Sequence, residues 1–532
     1  NAYSLVLIPM YDTLGHNAVE YIINQAEIHV VVVSGQCLPI LIQCLHKISK
    51  NLKYVVCMDR VSSHQKEKCR KVSGGVTQLF SMQEVESLGC RPAVVRPHDP
   101  PLLNDIATLC YTSGTTGNPK GAVITHGNFM ASQTGFVLAN PGEFTHQDIH
   151  ISYLPLAHVF ERLIQMVCFG HGASIGFYQG DPLTLLEDMA VLRPTIFASV
   201  PRLFNRLYDK VMGAINDPSG SALKRRLFAM GYRTKQNNLY RYGAVVHPLW
   251  DSLVFSKIAA SLGGRVRWMV TGSAPISSTV LEFLRICFSC KIVEGYGQTE
   301  GCASGTATIN GEVKAGHVGP PSPVVELCLE SVPEMDYTVK DKPYPRGEIL
   351  IRGPSVFVGY YKMEEKTKEA LGADGFLHSG DVGELLPNGT LRIIDRKKNI
   401  FKLSQGEYIA VEKIENVLVR SQWIAQAFIY GNSLQHFLVC VIVPDEETVR
   451  AYVSKFGVDP KQKFVDILNN EKFNLHSLIV ADAIAQCKQS KLNGFEIPKC
   501  FHIEHELFSV DNHLLTPTFK LKRVNALKKY KS

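Results

Sequence analysis

The stretch Tyr111–Gly121, YTSGTTGNPKG, decides how the rest of the chain is read. It follows IATLC (106–110), an apolar run of strand length, so a buried strand empties into a loop of Ser, Thr and Gly that ends in a Pro-Lys-Gly turn. Gly114 and Gly117 permit backbone angles closed to other residues, which lets successive N–H groups converge on phosphate oxygens. Thr112, Ser113, Thr115 and Thr116 add hydroxyl donors, and Lys120 adds a positive charge. This is no Walker loop, because that motif needs glycine directly before the lysine and Pro119 stands there. A plain polar turn would not gather so many hydroxyls, two glycines and a lysine behind one strand.

The bulk numbers are those of an ordinary globular protein. At 532 residues the chain has room for about two to four domains. With 45% hydrophobic and 20% charged residues it can bury a sizeable core, which excludes wholesale disorder. The net charge of +7 suits anionic ligands and equally a generic solvated surface. No basic stripe with interleaved aromatics points to nucleic acid. Fourteen cysteines run from Cys37 to Cys500 without a repeat, and the pair Cys287 and Cys290 lacks the second pair or histidines of a zinc site. Reduced thiols in a cytosol-facing protein fit that usage. No run reaches the ~18 apolar residues of a membrane span. The opening NAYSLVLIPMYDTLG reads as an interior strand and turn, so a preceding segment is expected.

Short β-branched runs alternate with helical patterns, which argues for an α/β fold. VVVV (30–33), KYVVCM (53–58), DIATLCYT (105–112) and EILIRG (348–353) read as strands. Helical spacing appears near Leu281–Ile286 and over 411–418, where Val411, Ile414, Val417 and Leu418 share a face. Residues 209–262 read as an inserted helical segment, basic and aromatic, with a membrane-facing patch as the alternative. A boundary is expected near Asp395–Lys398, dividing residues 1–395 from a smaller α+β unit, 396–532, that contains FLVCVIV (437–443) and the helix after it.

YTSGTTGNPKG resembles the phosphate loop of the adenylate-forming superfamily, and further motifs follow it in order. LPLAHVFER (154–162) resembles the second family motif, which implies an acyl-pocket lining of Tyr153, His158 and Val200. His158 is assigned a lining role without proton transfer, because it has no visible carboxylate partner. TGSAPIS (271–277) and EGYGQTE (294–300) resemble the adenine pocket. There Gly272, Ser273 and Ala274 would let backbone approach the base, Tyr296 would offer an aromatic face, and Gly297 and Gln298 would join the ATP-binding set. Thr299 would donate to the α-phosphate, and Glu300 is a hard oxygen ligand for Mg²⁺.

The long run DGFLHSGDVGELLPNGTLRIIDRKKNIFKLSQGEYIAVEKIE (374–415) resembles the fatty-acyl-CoA synthetase signature. By that resemblance Asp381 takes the ribose hydroxyls and Arg396 adds a ribose or phosphate contact. Lys398 falls at the hinge, and Lys402, Gly406 and Glu407 face coenzyme A. In LLTPTFKLKR (514–523), Lys520 matches the family's catalytic lysine.

The resemblance runs to about Arg523 and is greatest to eukaryotic long-chain acyl-CoA synthetases. It implies a large N-terminal domain and a mobile C-terminal lid; catalysis by Lys520, Glu300, Thr299 and Thr112; and ATP, long-chain fatty acid and CoA as substrates with Mg²⁺ as cofactor. It also implies a cytosol-facing membrane location at endoplasmic reticulum, mitochondrial outer membrane or peroxisome. Two positions depart from the pattern: Val411 replaces a usual proline, and Gly301 stands where relatives often carry cysteine.

Overall fold

The structure is a computed structural model and describes residues 3–10, 18–48, 51–91, 96–112, 118–217, 220–309, 311–403, 408–432, 434–459, 462–516 and 519–531. Its centre is a 6-stranded sheet in the order Thr306–Ala307, Lys291–Tyr296, Trp268–Thr271, Ile196–Ser199, Ile149–Ser152, Ser174–Phe177. All neighbours are parallel except the short Thr306–Ala307 edge. IFAS and WMVT are buried at every position, as expected of parallel strands covered on both faces. Helices Pro201–Asn216 and Ser278–Phe288 lie over one face and bury Phe204, Leu207, Phe283 and Leu284 with Phe197 and Met269. On the other face Leu163, Ile164 and Val167 of helix Val159–Gly170 meet Trp268 and Val270.

The phosphate-loop strand belongs elsewhere. Ile106–Thr112 pairs antiparallel with Lys120–Thr125, which pairs in turn with Gly359–Tyr360. Lys120 and Gly121 therefore begin a strand, which corrects the reading of them as a turn: KGAVIT is an apolar run that finds a hairpin partner. A 4-stranded antiparallel sheet follows, in the order Glu326–Glu330, Arg346–Arg352, Leu377–Leu385, Leu391–Arg396. Near the start of the chain Val30–Val33, Tyr54–Cys57 and Gln78–Ser81 form a small parallel sheet.

Beyond the turn at residues 397–399 the chain builds a separate core. Ile424–Tyr430, Val439–Pro444 and Cys500–Ile503 form its sheet. Helix Val411–Leu418 buries Val411, Ile414, Val417 and Leu418, the face expected from spacing. Val411 occupies the first helical position, where proline's fixed φ would be at home, so valine costs the helix little. The 209–262 stretch is helical: Ala222–Tyr242 is followed by short helical turns. Cys287 and Cys290 are buried, free thiols in the main core.

Candidate active site

The parallel strands end at one edge, the place where open α/β sheets bind ligands. Ile149–Ser152 leads into Tyr153, and Ile196–Ser199 into Val200. Trp268–Thr271 opens into Gly272–Ala274, and Lys291–Tyr296 into Gly297–Thr299. The Tyr153 hydroxyl donates to Ser199 Oγ at 2.7 Å, and its ring lies 6.0 Å from Phe197. His158 caps helix Val159–Gly170, its Nδ1 accepting from Phe160 N at 3.2 Å. Burial, aided by the Lys520 charge, pushes the imidazole down to about 3, so it is neutral at physiological pH. That neutral ring is unsuited to holding a proton for transfer.

The two loops of the adenine-pocket motifs interlock. A Cβ on Gly297 would sit 2.4 Å from Ala303 O, so only glycine fits there. A Cβ on Gly272 would come to 3.0 Å from Gly295 O. Ser273 takes a left-handed φ of 69° that re-aims the chain at the strand end. Beside them Thr271 Oγ1 and Gln298 Nε2 are buried and make no hydrogen bond among the described residues. Unpaired buried polar atoms cost about 1–3 kcal/mol each, and here both lie at the strand ends where a nucleotide would accept and donate.

Asp381 and Arg396 lie directly opposite in the antiparallel ladder, with Arg396 Nε 3.4 Å from Asp381 Oδ1. The Tyr296 hydroxyl donates to Asp381 Oδ2 at 2.7 Å, which fixes the ring that sequence reading assigned to adenine. Burial pushes the Asp381 carboxyl up, against the opposing pull of Arg396 and the Tyr296 hydroxyl. Glu300 takes a 2.6 Å hydrogen bond from the Tyr360 hydroxyl, and the same Tyr360 ring lies 4.2 Å beneath Lys120 Nζ. Thr112 is registered opposite Lys120 and its Oγ1 donates to the Lys120 carbonyl at 3.4 Å.

Lys520 reaches this site from the far end of the chain. Its turn is closed by Thr516 N to Lys520 O at 2.7 Å and Lys520 N to Thr516 Oγ1 at 2.9 Å. Burial and the Arg396 charge push its ammonium down to about 8, while Asp381, Glu412 and Glu300 pull it back up. Lys398 sits in the 397–399 turn, where burial and Arg396 lower its ammonium. The backbone of Lys402 pairs with Tyr408. Ser113, Gly114, Thr115, Thr116, Gly117, Gly406 and Glu407 lie outside the described residues.

Sequence reasoning missed Tyr360, Asp395 and Glu294. Asp395 accepts from Arg396 N at 2.6 Å and Glu412 N at 2.9 Å, tying the turn around Lys398 to the first turn of the next helix. Glu294, pushed up to about 8 by burial, takes a hydrogen bond from Ile276 N and so holds the Ser273–Ile276 loop. Glu294 lies within EGYGQTE and Asp395 within the 374–415 run, but neither motif gives these two carboxylates a role of their own. Tyr360 meets Glu300 across 60 residues, a pairing that carries no spacing signal.

Two interlocked glycine-bearing loops at the ends of parallel strands, an Asp–Arg pair and a half-buried lysine suit an enzyme that binds a nucleotide with an anionic second substrate. Residues 2–361 match the profile of the AMP-binding enzyme family, and the chain belongs to it. Among its relatives, the peroxisomal long chain acyl-CoA synthetase 7 of Arabidopsis thaliana is 45% identical over 525 residues, 99% of this chain and 73% of that protein. Long-chain-fatty-acid–CoA ligase 1 of Homo sapiens is 46% identical over 527 residues, covering 98% and 73%. The adenylation domain of a Segniliparus rugosus carboxylic acid reductase, solved with AMP and a co-purified carboxylic acid, superposes with a TM-score of 0.75. It is 26% identical, covering 99% of this chain and 77% of that one. Within the family, the sequence stands with the eukaryotic long-chain acyl-CoA synthetases.

Proposed function

We propose that this chain is a long-chain-fatty-acid–CoA ligase that joins ATP, a long-chain fatty acid and CoA into acyl-CoA, AMP and pyrophosphate through an acyl-adenylate. The observation that carries the reading is Lys520. Its charge is felt by His158 on the acyl side, while Asp381, Arg396 and Glu300 on the nucleotide side act on it in turn. A cation at that meeting point is where a carboxylate and an α-phosphate, both negative, must be brought together.

In the first half-reaction a carboxylate oxygen attacks the α-phosphorus and the bond to pyrophosphate breaks. Thr112–Lys120 would cradle the departing phosphates, Thr299 would donate to the α-phosphate, and Asp381 with Arg396 would hold the ribose. Gly272, Ser273, Ala274, Gly297 and Gln298 would wall the base against the Tyr296 ring. Lys520 would offset charge on the carboxylate and α-phosphate oxygens, which is positioning and electrostatics rather than acid–base work. In the second half-reaction the CoA sulfur attacks the adenylate carbonyl, AMP leaves, and the thiol proton passes to solvent. We assign the change of arrangement between halves to a hinge at Lys398, with 1–395 as the binding domain and 396–532 as the lid. Lys402, Gly406 and Glu407 would then face CoA.

Glu300 fits Mg²⁺ by its donor chemistry: Tyr360 engages one carboxylate oxygen, and the other is a hard ligand. The ion would neutralise phosphate charge. The acyl chain would lie beside Tyr153, His158 and Val200, gaining on the order of 0.8 kcal/mol per buried methylene, which favours long chains.

Membrane work is the finer part of the proposal. No described helix is long and apolar enough to cross a membrane. Helix Ala222–Tyr242 has no acidic residue, and it exposes Leu223 and Met230 among Arg226, Arg233 and Arg241. This mixture suits an anionic lipid surface, and the peroxisomal relative keeps that organelle among the expected locations.

The test is pyrophosphate release with palmitate against benzoate, each with and without CoA. Palmitate-dependent release that Lys520→Ala nearly abolishes, with ATP binding retained, supports the reading. Strong turnover on benzoate alone, or an unimpaired K520A, contradicts it.

A further inference from the structure

The turn that carries Lys520 touches the main domain through the residue before it. Phe519 has a left-handed φ of 59° and is 44% exposed, so neither local backbone preference nor a core of its own holds the ring in place. The Arg202 guanidinium lies 5.2 Å from the centre of that ring. Arg202 stands two residues after Val200, in the first turn of Pro201–Asn216, at the mouth assigned to the acyl chain. Among the described residues the Arg202 guanidinium has no carboxylate partner; burial and the Arg206 charge pull it down to about 10. A cation held without a counter-anion finds its stabilisation in the face of an aromatic ring.

We infer that Arg202 is a positioning residue that clamps Phe519 by a cation–π contact and so holds the Lys520 turn at the site during adenylate formation. Arg202 touches no reacting atom in this role. It acts by favouring the arrangement in which the lysine turn meets the pocket mouth, and the inference rests on the two-step reading above. In the two-step reading the Lys520 turn leaves the site before CoA attacks, so the two half-reactions separate a clamp from general damage.

The experiment measures two single turnovers in each variant: palmitoyl-adenylate formation from ATP without CoA, and palmitoyl-CoA formation from supplied palmitoyl-adenylate and CoA. Arg202→Gln and Phe519→Leu should each slow the first by about 3- to 30-fold and leave the second within about twofold. The double variant should be no slower than the slower single one, and Arg202→Lys and Phe519→Tyr should recover most of the rate. Unchanged adenylation, equal slowing of both steps, or additive losses would overturn the clamp. Lys520→Ala runs alongside as the control. If K520A is impaired and R202Q is not, the clamp alone fails; if K520A is unimpaired, the lysine assignment fails and takes the clamp with it.

Discussion

Replacing Tyr360 by phenylalanine deletes one oxygen and tests the nucleotide side of the site at a residue no motif announced. Its hydroxyl donates to Glu300 Oε1 at 2.6 Å, while its ring supports Lys120 Nζ at 4.2 Å and meets Phe357 edge-on at 4.9 Å. Phenylalanine keeps both ring contacts. A hydrogen bond to a charged acceptor contributes about 1.5–3 kcal/mol, and Glu300 is only half-buried, so water can partly replace the phenol. The lower half of that range is the appropriate one: about 1.5–2 kcal/mol, or roughly 10- to 30-fold in rate. Single-turnover palmitoyl-adenylate formation without CoA reads this directly. The expected result is a loss of that size, with thioester formation from supplied adenylate unaffected and little change in melting temperature. Tyr360→Leu should lose a further ~0.5–2 kcal/mol, because Lys120 then loses its ring. A Y360F rate within about twofold of the parent would refute the view that Glu300 must be held by this phenol.

Three further outcomes follow from the same geometry. Lys520 is pushed down to about 8 in the free enzyme, and its charged form is the useful one, so kcat/KM for adenylation should fall as pH rises through about 8. Lys520→Arg, protonated throughout, should move that limb to higher pH whatever its absolute rate. Gly297→Ala must place a methyl 2.4 Å from Ala303 O; overpacking of about 1–3 kcal/mol should lower the melting temperature and weaken ATP binding measured by titration calorimetry. Asp395→Ala leaves the amides of Arg396 and Glu412 without their acceptor, and thermal unfolding should show a loss of about 1–3 kcal/mol.

Much of the site was legible because its groups sit at strand ends in contiguous motifs. TGSAPIS and EGYGQTE end adjacent parallel strands, so their order in sequence becomes proximity in space. Asp381 and Arg396 pair across one hairpin, again a local matter. Tyr360, by contrast, meets Glu300 across 60 residues, and its own surroundings, GYYK, carry no chemical signature. Arg202 and Phe519 meet only because the last segment of the chain returns to the sheet edge, which no periodicity encodes. The reading of Lys120 as part of a turn failed for a related reason. Proline-lysine-glycine is locally turn-like, yet the apolar AVIT that follows pairs along Ile106–Thr112 and draws the lysine into the ladder.

The central claim is that this site activates a long aliphatic acid and delivers it to CoA. Its most direct test is a chain-length profile: the protein, ATP, Mg²⁺ and CoA are incubated with acetate, octanoate, palmitate or benzoate, and AMP and each thioester are quantified by mass spectrometry. The prediction is palmitoyl-CoA as the dominant product, formed in equal amount with AMP. Benzoyl-CoA or acetyl-CoA in excess of palmitoyl-CoA, or palmitoyl-adenylate accumulating with no thioester, would contradict it.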